Sequence, residues 1–173
     1  MTDLRFPVGK FSYAEPLHDE QKRKFVDDLA RAPANLRAAV EGLSDAQLDT
    51  PYRPEGWTVR QVVHHVPDSH ANAYIRFKLA LTEDEPTIKT YAEDRWAELP
   101  DSKGPIAVSL GLLDSLQDRW LHLLRSFSDE QWKRTFRHPE LGPMTLEKTL
   151  ALYAWHGRHH VAHITDLRKR MSW

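Results

Sequence analysis

Thr145–Arg170, TLEKTLALYAWHGRHHVAHITDLRKR, places four of the chain's ten histidines within eight residues, at positions 156, 159, 160 and 163. The stretch predicts one long helix. Gly142 and Pro143 end the loop before it, and Thr145 can cap its first turn. Glu147 lies in that turn and Arg168, Lys169 and Arg170 in the last, each charge matched to the helix dipole. At about 3.6 residues per turn, Leu146, Leu150, Tyr153, Ile164 and Leu167 fall on one face. His160 lies nearest the middle of that face, His156 next, His163 further out and His159 furthest. His156 and His160 are four residues apart, so about 40° separates their directions and both rings can reach one point above the helix. They are candidate ligands of one metal ion facing the interior. The plainer reading is that a histidine-rich face is solvated, or that a buried histidine is a hydrogen-bonded core residue. Two ligands on one helix do not make a site, so a third has to come from elsewhere.

The rest of the chain sets outer bounds on that reading. A length of 173 residues suits a single domain, residues 1–173, which at this size buries about 70% of the surface its unfolded chain exposes. Lys plus Arg at 24 against Asp plus Glu at 25 leaves almost no net charge, which argues against nucleic-acid or membrane-surface partners. With no cysteine, disulfides, a thiolate nucleophile and Cys-ligated zinc are excluded, and any sulfur chemistry has to use a substrate's thiol. No apolar run reaches the length of a signal peptide or a membrane span, so a cytoplasmic protein is expected.

Residues 1–19 carry Pro7, Gly9 and Pro16 among Phe6, Phe11 and Tyr13, which predicts an extended arm packed on the domain. A first helix follows from Asp19 to Gly42, with Phe25, Leu29, Leu36, Val40 and Leu43 at helical spacing and a bend or break expected at Pro33. Ser44 with Gln47 has capping-box spacing and starts a short helical piece. After the loop Thr50–Trp57, Thr58 with Gln61 opens the next helix, through Leu81. On its apolar face of Val59, Val62, Val63, Val66, Ala73 and Phe77, His64 points away, His65 sits at the edge and His70 lies within. Periodicity therefore removes His64 and leaves His65 and His70 both open, with Pro67 disturbing the turn between them. Residues 83–104 are polar and proline-punctuated, a crossover or partial lid pinned by Tyr91 and Trp96. A third long helix runs from Pro105 to Phe127. Ser128 with Gln131 is one more capping box, and a loop leads to Thr145.

Four long amphipathic helices with little strand signal predict an all-α four-helix bundle with an extended N-terminal arm. Bundles place metal ligands between facing helices, so an imidazole from the second can meet the pair from the last. Trp57 and Trp155 border the histidine groups as walls or as core. Arg5, Arg53, Arg60, Arg76 and Arg158 are cations that an anionic substrate could use, and none is assigned.

GWTVRQVVHHVPDSH, YIRFKLALTE and YAWHGRHHVAHITDL, in that order, resemble the DinB superfamily and, within it, the YfiT-type metal-dependent hydrolases of bacilli. The likeness spans nearly the whole chain, from FPVG to KRMSW. It implies a metal held by three histidines, which here are His65, His156 and His160. It thereby chooses His65 over His70, with Pro67 the one departure from the usual pattern. The ion implied is divalent, zinc first and nickel as an alternative, and Asp68, one turn from His65, is a candidate acceptor to orient that imidazole. Three neutral imidazoles leave such an ion an open position, where it can activate a water or a thiol. The resemblance thus implies hydrolysis by metal-activated water. One alternative is transfer of a low-molecular-weight thiol of the bacillithiol type to a small-molecule electrophile. Another, from a different class, is a non-catalytic metal-binding stress-response bundle. The resemblance also implies a homodimer.

Overall fold

A computed structural model describes residues 3–14 and 16–173. In chain order the elements are α1 (Asp19–Val40), α2 (Asp45–Leu48), α3 (Val59–Thr82), α4 (Glu93–Trp96), α5 (Ile106–Leu124), α6 (Asp129–Lys133), β1 (Thr135–His138), β2 (Gly142–Thr145) and α7 (Leu146–Met171). The capping signals fold as their spacing dictates. Ser44, Thr58 and Ser128 each accept from the backbone N–H of the glutamine three residues on, and that glutamine's side chain returns to the cap. Thr145 caps α7 by accepting from the Lys148 N–H.

Pro33 does not break the first helix. α1 runs through it and α3 runs through Pro67, and both proline rings are buried, so their packing offsets the one backbone bond each removes. A second difference from the sequence reading is a hairpin where a loop is expected. β1 and β2 pair antiparallel, with Phe136 opposite Met144 and both buried. Four-residue strands with one inward side chain each, set among Pro139, Gly142 and Pro143, carry too short an alternation to be read as strands.

Side-chain contacts give the helix directions. His64 meets Ser109 and His70 meets Gln117, so α3 and α5 run parallel. Arg158 bonds Asp28 and Arg168 bonds the Ala39 carbonyl, so α1 and α7 also run parallel. His65 faces His156 while Ser69 faces Tyr153, which makes α3 and α7 antiparallel. The bundle is therefore up, down, down, up, and each helix packs on one parallel and one antiparallel neighbour. Parallel neighbours cannot be joined by a tight turn, which is why the chain spends the segment from Glu83 to Pro105 crossing from α3 to α5.

The core forms two clusters. Val59, Val62, Val63, Leu113 and Ile164 anchor one, and Phe77, Trp120, Phe136, Leu146 and Leu150 anchor the other. The histidines sit between them, on α3 from His64 to His70 and on α7 from His156 to His163. Among the described residues no helix is long and apolar enough to cross a membrane.

Gly157 sets the spacing of α1 and α7 beside this waist. A Cβ there would stand 3.4 Å from the Ala32 Cβ, an ordinary contact. Gly157→Ala should fold normally, with helix propensity adding up to about 1 kcal/mol. Gly157→Leu has no space and should cost about 1–3 kcal/mol. Thermal melts of the two variants decide this, and equal melting temperatures would refute the close packing.

Candidate metal centre

α3 and α7 bring three rings together. The Nε2 atom of His156 lies 3.3 Å from Nε2 of His65 and 3.1 Å from Nε2 of His160. The three side chains each offer one ligand atom, all within 4.8 Å of one another. Two nitrogens bound tetrahedrally at zinc's usual bond length stand about 3.3 Å apart, so these spacings fit one ion. A hydrogen bond accounts for them less well, because three nitrogens converge and each neutral ring has a single proton to give. The far side of the site is bare: Nδ1 of His156 and of His160 is buried and meets no hydrogen-bond partner among the described residues.

Burial sets the protonation. It pushes His65 down to about 4, and burial with the neighbouring rings holds His156 and His160 well below the ordinary histidine range. All three are neutral at pH 7, the state that ligates metal.

Other histidines have structural partners. His70, the alternative that periodicity leaves open, is fully buried, and the Gln117 side-chain amide lies 2.9 Å from its Nδ1. His64 is not turned to solvent: it is buried, with Nδ1 2.7 Å from the Ser109 hydroxyl and Nε2 3.1 Å from the Gly104 carbonyl, because the crossover covers that side of α3. His159 and His163 lie under the N-terminal arm and the loop before α3. His163 stacks on Tyr52 and its Nε2 lies 3.3 Å from the Arg5 carbonyl. His159 packs between Trp155 and Phe6.

The two tryptophans separate. Trp57 lies against His65 at 4.6 Å between ring centroids and stacks over His160 at 6.5 Å, walling the cluster on one side. Trp155 turns away, donating from Nε1 to the Gly9 carbonyl and so pinning the arm. On the other side stands a group that the sequence reading does not single out. The Ser69 hydroxyl is 3.5 Å from Nε2 of His156 and bonds the Tyr153 hydroxyl, and Tyr91 of the crossover approaches the same serine. The available signal is spacing: Ser69 follows His65 by one helical turn. Asp68 is half buried, and burial with the nearby Asp101 charge raises it to about 6. Among the described residues no hydrogen bond joins its carboxylate to His65.

Relatives share this chain from end to end. A protein of Bacillus cereus (strain B4264) and one of Bacillus thuringiensis subsp. konkukian (strain 97-27), both named "Putative metal-dependent hydrolase", are each 57% identical over 173 residues, with all of both chains covered. Among solved structures the chain is similar to YfiT from Bacillus subtilis, described as "a probable metal-dependent hydrolase with an unusual four-helix bundle topology". That likeness has a TM-score of 0.97 at 52% identity and covers 99% of each chain. TT2238, a four-helix bundle protein, shares the fold alone, at a TM-score of 0.55 and 21% identity over 88% of this chain and 99% of that one. The DinB superfamily model matches residues 28–164, and with the two-helix histidine cluster and the matching bundle this settles the family: the chain belongs to the DinB superfamily.

Proposed function

We propose that this chain is a metal-dependent hydrolase whose divalent ion is held by His65, His156 and His160. The convergence of their three Nε2 atoms carries the reading, and the names of the full-length relatives support it. When bound, an ion on three neutral imidazoles supplies a Lewis acid with an open position, able to lower the pKa of a molecule placed there to near neutrality. Zinc fits this donor set, and nickel also accepts imidazole.

The chain's own residues do the remaining work. The buried rings stay neutral and so do not repel a cation. Trp57 keeps bulk water off one side of the cluster. Ser69 and Tyr153 form a hydroxyl pair beside His156 that can hold a polar group of the substrate. Asp68, half buried and raised to about 6, can take up and release a proton near neutral pH.

The test is to strip the protein with chelator, reload it with zinc or nickel, and assay p-nitrophenyl acetate alone and chlorodinitrobenzene with a panel of small thiols. Ester hydrolysis without thiol, lost on chelation and restored by metal, is the expected result. Turnover that requires a thiol would replace hydrolysis with S-transfer, and no turnover in either assay would leave a non-catalytic metal-binding bundle.

A further inference from the structure

Four of the five arginines open to an anionic substrate already have partners. Arg5 pairs with Asp3, Arg60 with Asp45 and Asp49, and Arg158 with Asp28. Arg53 lies over the Tyr52 ring and donates to the Pro54 carbonyl. Arg76 differs, being partly buried on α3 with no hydrogen bond, ion pair or ring partner among the described residues. Other partly buried cations show what is usual. Lys22 pairs with Asp19, Arg134 bonds the carbonyls of Ala80 and Glu83, Lys148 lies over Tyr13, and Arg168 bonds the carbonyls of Ala39 and Glu41. A guanidinium cannot shed its proton, so partial withdrawal from water without an anion is unfavourable.

Its placement is specific. Arg76 follows His65 by eleven residues, Ser69 by seven and Asn72 by four, so the four side chains leave α3 within about 60° of one direction. Arg76 stands about 10 Å along the helix from Ser69, and helical side chains lean toward the N-terminus, here toward the metal centre. The hairpin strand β1 packs on α3. His138, on the hairpin, accepts the N–H groups of Glu140 and Leu141 at Nδ1, which fixes its proton on Nε2. Burial and then the Arg76 charge lower its affinity for a second proton, so it stays a neutral donor.

We propose that Arg76, with His138 on the strand packed against its helix, seats a carboxylate of the substrate, at the far end of a molecule whose reacting end lies at His65, His156 and His160. This rests on the hydrolase reading above. A carboxylate rather than a phosphate dianion is the fit, because one planar guanidinium fork pairs with one carboxylate and no second unpaired, partly buried cation is present among the described residues.

Two substrates test it: mono-p-nitrophenyl suberate, whose free carboxylate can span about 10 Å from the reacting carbonyl, and its methyl ester. The zinc-loaded protein should prefer the acid by about 10-fold or more in kcat/KM, carried in KM. That preference should fall to about one in Arg76→Gln and survive in part in Arg76→Lys, with thermal melts confirming that both variants fold. Independently of turnover, suberate added to metal-free protein should shift the Arg76 Nε–H resonance. An unchanged preference in Arg76→Gln, or no shift, overturns the proposal, and inorganic phosphate shifting the resonance as strongly as suberate overturns the choice of carboxylate. If neither ester is turned over, the hydrolase reading fails, and the resonance titration still decides Arg76.

Discussion

His160→Ala is expected to lower zinc affinity by well over 100-fold and to remove turnover while the bundle still folds. Loss of an outer hydrogen-bond partner of a metal ligand costs about 10–100-fold, and loss of a ligand exceeds that. The structure makes the comparison clean, because His159 is adjacent in sequence and equally buried, yet its ring packs against Trp155 and Phe6 rather than joining the convergent nitrogens. His159→Ala should therefore retain one zinc per chain. Elemental analysis after dialysis, with chelator competition for affinity, reads both variants. Stoichiometric zinc in His160→Ala would sink the three-histidine site.

The second large effect is acid instability of the metal-free protein. His65, His159 and His163 are each held at about 4 by burial first of all, and His70 at about 3. Each folded value lies below the free value of 6.5, so between them the unfolded chain binds more protons than the native one. Their contribution is fully present above about pH 6.5 and is lost as pH falls toward 4. For His65 alone the shift from 6.5 to about 4 corresponds to about 3 kcal/mol. Asp68 has the opposite sign: raised to about 6, it favours the folded state at low pH and loses that contribution as pH rises through 6. It is half exposed, so the histidines dominate. With about 2–4 °C per kcal/mol at this size, the melting temperature should drop by more than about 10 °C between pH 7 and pH 4.5. Zinc should raise it at pH 7 and do so much less at pH 5, because protons compete for the same nitrogens. A melting temperature flat across that range would contradict the burial of these rings.

Much of the fold is legible because it is encoded locally. Ser44, Thr58, Ser128 and Thr145 cap helices through neighbours three residues away, and the helical stripes need only the chain's own spacing. His156 and His160 are legible for the same reason, since four residues on one helix is a local fact. What a helical wheel cannot supply is cover from distant chain. His64 points off the apolar stripe and is buried all the same, because Gly104 and Ser109 close over it. His159 and His163 flank the stripe and are buried by Phe6, the Arg5 backbone and Tyr52. Periodicity leaves His65 and His70 both open. The difference lies across the bundle, where Gln117 stands opposite one and His156 opposite the other. The same holds for Arg76: four of the five candidate arginines drop out once partners remote in sequence, or merely unpredictable, are in view.

The two helices that meet at the histidine cluster are far apart along the chain, His156 lying 91 positions after His65. An ion shared by them would act as a reversible cross-link, closing a loop that holds the crossover, α5 and the hairpin. Covalent links across loops of about 100 residues remove roughly 4–5 kcal/mol of chain entropy from the unfolded ensemble. A coordinated clasp works in the same direction, so loss of the ion would loosen the whole molecule, and in a cell short of metal the amount of intact protein would decline together with its activity.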